Sequence, residues 1–107
     1  MSGSSTNVFI SEIVRSANEI DKIGDAERGR LLDRAARTIR EMRIESGIRA
    51  SGSGSDRLMA IVSASRIPAL YSDNEIKLHL LDAAAMMRDL HIVLDTNTSI
   101  SIGNDIP

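Results

Sequence analysis

Four ionisable side chains, Glu75, His79, Asp82 and Asp89, follow one another at spacings of four, three and seven residues. On a helix those spacings place them along one strip. A carboxylate, an imidazole and a second carboxylate are donors that a divalent cation accepts. The same strip is what the solvated side of an amphipathic helix carries, and no metal is expected here. His91 falls on a different side of the same helix, so the two imidazoles cannot share an ion within one chain.

Nucleophilic chemistry is poorly supplied. The chain has no cysteine, which removes thiol nucleophiles, thiolate metal sites and disulfides. Ser63 and Ser65 stand in a small-residue stretch without a base beside them, and a His–Asp pair makes an enzyme only with a nucleophile and an oxyanion site. The SGSGS run at 51–55 lacks the lysine of a phosphate loop and is not bracketed by a strand and a helix, so it reads as linker. No catalytic residue, cofactor or metal is expected.

Arg30, Arg34, Arg37 and Arg40 share one helical face, which raises phosphate binding. Asp33 and Glu41 lie on that face too, and residues 25–46 hold six Arg against five acids. Glu27 with Arg30 and Asp33 with Arg37 have the favoured local pairing direction. A paired, solvated face is the expectation. The formal net charge is −2, opposite to what phosphate tracking or an anionic membrane selects. A small DNA-binding regulator is the alternative function, using residues 56–65, a turn at 66–71 and the next helix as reader. That reader would be apolar, with Glu75, Asp82 and Asp89 exposed toward phosphate.

The elements that must position these groups are helical. The 107 residues suffice for one domain. Phe9 and Tyr71 are the only aromatic residues, which disfavours a β-sandwich core, base-stacking platforms and a rich small-molecule pocket. Residues 1–6 are Ser/Gly-rich, with neither a basic start nor an apolar run, so no secretion signal is expected and this stretch reads as disordered. No apolar run approaches the roughly 20 residues needed to span a bilayer. A cytoplasmic, soluble protein is expected.

The spacing predicts four helices. The first starts near Thr6 or Asn7 and buries Phe9, Ile10, Ile13, Val14, Ala17 and Ile20, with Gly24 as its stop. The second runs over 25–45 and buries Leu31, Leu32, Ala35, Ile39 and Met42. A linker follows at 46–55. The third starts at Ser55 or Asp56 and turns Leu58, Met59, Ile61 and Val62 inward. Pro68 enforces a turn at 66–71. Ser72 and Glu75 form a capping box for the fourth helix, which runs to about Asp95. Residues 96–107 read as a polar tail, disordered or laid on the rest as a short extended segment.

The chain resembles itself at an offset of 48. Ile13, Val14, Asp25, Glu27, Leu32, Ala35, Ala36, Arg40 and Ile44 meet identical residues 48 positions on, nine identities over the 32 positions from 13 to 44. The expected architecture is all-α: a four-helix bundle of two repeated helical hairpins, 7–45 and 56–95, joined by the Gly/Ser linker.

One feature exceeds what that core needs. Ile76, Leu80, Ala83, Met87, Leu90 and Leu94 make a sufficient core face on the fourth helix. A second line, Leu78, Leu81, Ala85, Arg88 and Ile92, is spaced three, four, three and four, the seam pattern of packed helices. A fourth helix placed centrally would bury both lines within the monomer; otherwise the second line meets another chain, and the expected function is a non-enzymatic interaction module, an adaptor or regulator. It would meet a second copy of itself, as a homodimer, or another protein through this line.

Overall fold

A computed structural model of the protein describes the backbone of residues 2–47 and 52–104, and the side chains of 6–47 and 56–94. Among these residues every regular element is helical: α1 (Ser2–Asn18), α2 (Asp25–Ser46), α3 (Gly52–Arg66) and α4 (Asp73–Asn104). Short 3-10 turns at Ile20–Lys22 and Pro68–Leu70 precede α2 and α4.

The boundaries follow local chemistry. At the start of α4, Ser72 Oγ accepts from the Glu75 backbone N–H at 3.1 Å, and Glu75 Oε1 accepts from the Ser72 N–H at 2.9 Å. This is the reciprocal cap expected from the sequence. α2 ends on Gly47 in the left-handed region (φ 74°), its N–H bonded to the Ile44 carbonyl. That conformation suits glycine because it has no Cβ.

Several boundaries differ from the sequence expectation. α1 begins at Ser2, ahead of Thr6, and stops at Asn18 rather than near Gly24. The chain then makes its 3-10 turn, and Gly24 becomes the N-cap of α2. Arg28 fixes this turn: its guanidinium donates to the carbonyls of Ile20 (2.6 Å) and Ile23 (3.1 Å). α3 begins at Gly52, so 46–55 is not wholly linker; residues 48–51 lie outside the described residues. The expected tail at 96–107 is helical through Asn104, because residues 73–102 contain neither glycine nor proline to stop α4. Residues 105–107 lie outside the described residues.

The core is aliphatic. Ile13, Leu32, Ile39, Ile61, Ile76, Leu80 and Met87 are its largest fully buried side chains. Met59, expected inward, is exposed. α4 takes the central position: it packs against α1, α2 and α3, while α2 also packs against α3. α1 lies chiefly on α4, and its meeting with α2 runs through the long Arg34 side chain, which covers Phe9 and approaches Glu12. The expected α1–α2 hairpin is therefore not the main packing unit. The starts of α2 and α4 sit side by side, where Arg28 reaches Asp73 at 2.8 Å. Gly29 makes room for the end of α3: a Cβ there would stand 2.9 Å from the Ser65 carbonyl oxygen and 3.1 Å from Pro68 Cγ.

Candidate functional site

Three of the four residues in the ionisable strip of α4 make local contacts. Glu75 is held by Ser72, and the hydrogen bond from the Ser72 backbone, followed by its hydroxyl contact, lowers the Glu75 pKa below the ordinary glutamate value. His79 stands edge-on to Tyr71, with ring centroids 5.8 Å apart. Asp82 lies 3.8 Å from Arg57 on α3. Among the described residues no group of three His, Asp or Glu side chains is placed to hold a metal ion.

Three of the four arginines on the α2 face are engaged. Arg30 pairs with Glu27 and Arg37 with Asp33. The Arg34 guanidinium sits 4.1 Å from the centre of the Phe9 ring, a cation–π contact. Both acid–base pairs read from the sequence form, and Arg34 also lies 3.8 Å from Glu12 on α1.

The apolar line of α4 is different. Leu78 and Ile92 are each 55% exposed, and Ala85 and Arg88 are also exposed. Leu81 is partly buried and packs against the core. So four of the five residues form a surface ridge, and the fifth forms its root. Arg88 also borders an open groove of about 600 Å³ between α4 and α1, lined by Ile10, Val14, Arg15 and Asn18. A second groove, of about 500 Å³, lies between the start of α2 and the end of α3, beside Gly29, Arg30, Ser65 and Pro68.

α2 supplies the comparison for that ridge. Forty-eight positions before Leu78, Leu81, Ala85, Arg88 and Ile92 stand Arg30, Asp33, Arg37, Arg40 and Ile44, all exposed. On α2 the outer face is charged and internally paired. On α4 the first three of these places hold Leu, Leu and Ala, and the last two repeat Arg and Ile.

The residue that the sequence reading passed over is Arg28. It is 7% exposed and donates to three acceptors. The signal was available: residues 28, 32, 35, 39 and 42 fall on one helical face, and Arg28 is the only charged member of that apolar series.

No family model, no curated protein and no solved structure is detectably similar to this chain. No helix among the described residues is long and apolar enough to cross a membrane.

Proposed function

We propose that this protein is a non-enzymatic interaction module, an adaptor or regulator, whose contact surface is the outer ridge of α4: Leu78, Ala85, Arg88 and Ile92, with Leu81 at its root. A second copy is the favoured partner, forming a homodimer. One observation carries the reading: the two central helices share a core pattern but differ on their outer faces. At corresponding places α2 presents Arg30, Asp33 and Arg37, and α4 presents Leu78, Leu81 and Ala85. The charged version on α2 is compatible with burying Leu32, Ala35 and Ile39 beneath it; on α4 Leu81 adds to the core, while the exposed Leu78 and Ala85 are more apolar than that core requires. Exposed apolar ridges of this kind mark protein contacts.

The same comparison supports a finer architecture, a four-helix bundle built from two copies of one helix–turn–helix unit. The two 3-10 turns lie 48 residues apart, and their C-caps Ile23 (φ −114°, ψ 142°) and Tyr71 (φ −113°, ψ 144°) adopt nearly the same conformation. Ile13 and Ile61, Leu32 and Leu80, and Ala35 and Ala83 are fully buried pairs at that offset. Arg34 meets Phe9, and Asp82 meets Arg57, again at corresponding positions.

One experiment addresses both proposals. The triple variant Leu78→Arg, Leu81→Asp, Ala85→Arg gives α4 the outer face of α2. Light scattering across a dilution series reads self-association, and circular dichroism reads the fold. The expected result is a folded monomer from a self-associating parent. A triple variant that folds and associates as the parent does would sink the interaction surface. One that loses its helical signal would sink the equivalence of the two units, and Ile92→Glu alone would then read the surface.

A further inference from the structure

We infer that the turn between α1 and α2 is a hinge latched by Arg28, which opens into a continuous helix and passes α1 to the α4 of a second copy. The product is a dimer made by exchange of α1. The inference is independent of the α4 ridge. It rests on how the two equivalent turns are held.

The 3-10 turns at Ile20–Lys22 and Pro68–Leu70 end in nearly the same backbone conformation, yet different devices close them. In the second turn the first residue is Pro68, which blocks a regular helix from running through it. In the first turn Ile20 takes the place of that proline, and Arg28 takes the place of the buried Ile76. No residue from 19 to 24 is a proline, and none has a positive φ. Closure falls to the Arg28 guanidinium, which donates to the Ile20 carbonyl (2.6 Å), the Ile23 carbonyl (3.1 Å) and Asp73 on α4 (2.8 Å). In a helix running from α1 into α2, backbone N–H groups four residues on would take those two carbonyls. The two carbonyl bonds from Arg28 therefore belong to the closed turn alone, and opening breaks them.

The packing of α1 makes opening productive. α1 lies chiefly on α4 and meets α2 through Arg34. Its buried residues, Phe9, Ile10, Ile13 and Ala17, find the same complement on the α4 of another copy. Exchange re-forms these contacts between chains and changes only the turn. The short turn keeps α1 at high local concentration beside its own α4, which favours the monomer in dilute solution. Concentrated protein and a loosened latch favour exchange.

Glu12 on α1 approaches Arg34 on α2 at 3.8 Å, so this pair reports whose α1 is seated. The chain has no cysteine. Full-length Glu12→Cys/Arg34→Cys is held at high concentration just below its melting midpoint, cooled, diluted and joined with a bis-maleimide. A denaturing gel then separates links within a chain from links between chains, with the two single-cysteine chains as background. A between-chain band is expected, rising about tenfold or more on adding Arg28→Met, since bonds unique to the closed turn are lost. Gly24→Pro should abolish the band. Gly24 is at φ −86° after the extended Ile23, and a Cβ there meets nothing within 4 Å, so the closed turn accepts proline and the continuous helix does not. Ile92→Glu should leave the band unchanged, so this reading and that of the ridge fail separately. Absence of the band from both the parent pair and its Arg28→Met form overturns the exchange. A band indifferent to Arg28→Met overturns the latch, and one that survives Gly24→Pro overturns the continuous helix. Should Arg28→Met not fold, Gly24→Pro in the parent pair decides alone.

Discussion

Arg28 on α2 donates to Asp73 on α4 across 2.8 Å, tying together the first turns of the two central helices. The pair is unequal: the Arg28 side chain is 9% exposed and that of Asp73 57%. Arg28 also donates to the Ile20 and Ile23 carbonyls, so its loss removes two buried or part-buried bonds besides the one to Asp73. Arg28→Met should cost about 2–4 kcal/mol, the range for orphaning partners of a buried hydrogen-bonded charge. Asp73→Asn should cost no more than about 1 kcal/mol, as solvent-exposed pairs do. Urea denaturation of both variants checks the ratio, and equal losses would refute the assignment.

Gly29 sits inside α2, where helix propensity alone favours alanine by about 1 kcal/mol. The close carbonyl of Ser65 and the ring of Pro68 reverse that preference. Gly29→Ala should destabilise the protein by about 1–3 kcal/mol, the usual cost of overpacking. Thermal melts read it, and a stabilised variant would mean that α3 yields freely at this crossing.

The cap at α4 gives a pH dependence with a definite sign. Ser72 holds the Glu75 pKa below the ordinary glutamate value in the folded state. The cap's contribution is therefore fully present above that ordinary value and is lost as pH falls through the lowered one. The stability gap between the parent and Glu75→Ala should be constant near neutrality and shrink in acid. A gap that widens in acid contradicts the cap.

Leu81 and Ile92 belong to one line in the sequence and to two roles in the structure. Leu81 packs against the core, and Ile92 is exposed. Leu81→Ala should lower monomer stability by about 1–3 kcal/mol, part of the cost of a fully buried leucine. Ile92→Ala should change it by less than about 0.5 kcal/mol, as surface substitutions do, while weakening self-association. Denaturation at low protein concentration separates the two effects.

Much of the helical core was legible because apolar spacing is a strong signal. Leu31, Leu32, Ala35, Ile39 and Met42 are all buried as their periodicity predicts. The capping box at Ser72 and the turn at Pro68 carried their own chemistry. What stayed hidden depended on contacts distant in the chain. The turn after α1 is held by Arg28, which reaches back for two carbonyls. The seating of α1 on α4 rather than α2 is a choice between apolar faces that look alike in sequence. Met59 fits the apolar run of α3 and still faces solvent, because a short helix leaves room for more than one inward face. On α4 the ridge itself was legible, but only the packing separates Leu81 from its neighbours.

The seating of α1 on α4 also sets the order of events during synthesis. α1 is complete at Asn18, yet the helix it lies on begins at Asp73 and supplies core residues as far as Leu90. At typical elongation of about 5–20 residues per second, Phe9, Ile10 and Ile13 wait several seconds for their cover. Throughout that interval these apolar side chains lack the surface that buries them in the folded protein, and a segment this short is at best marginally helical alone.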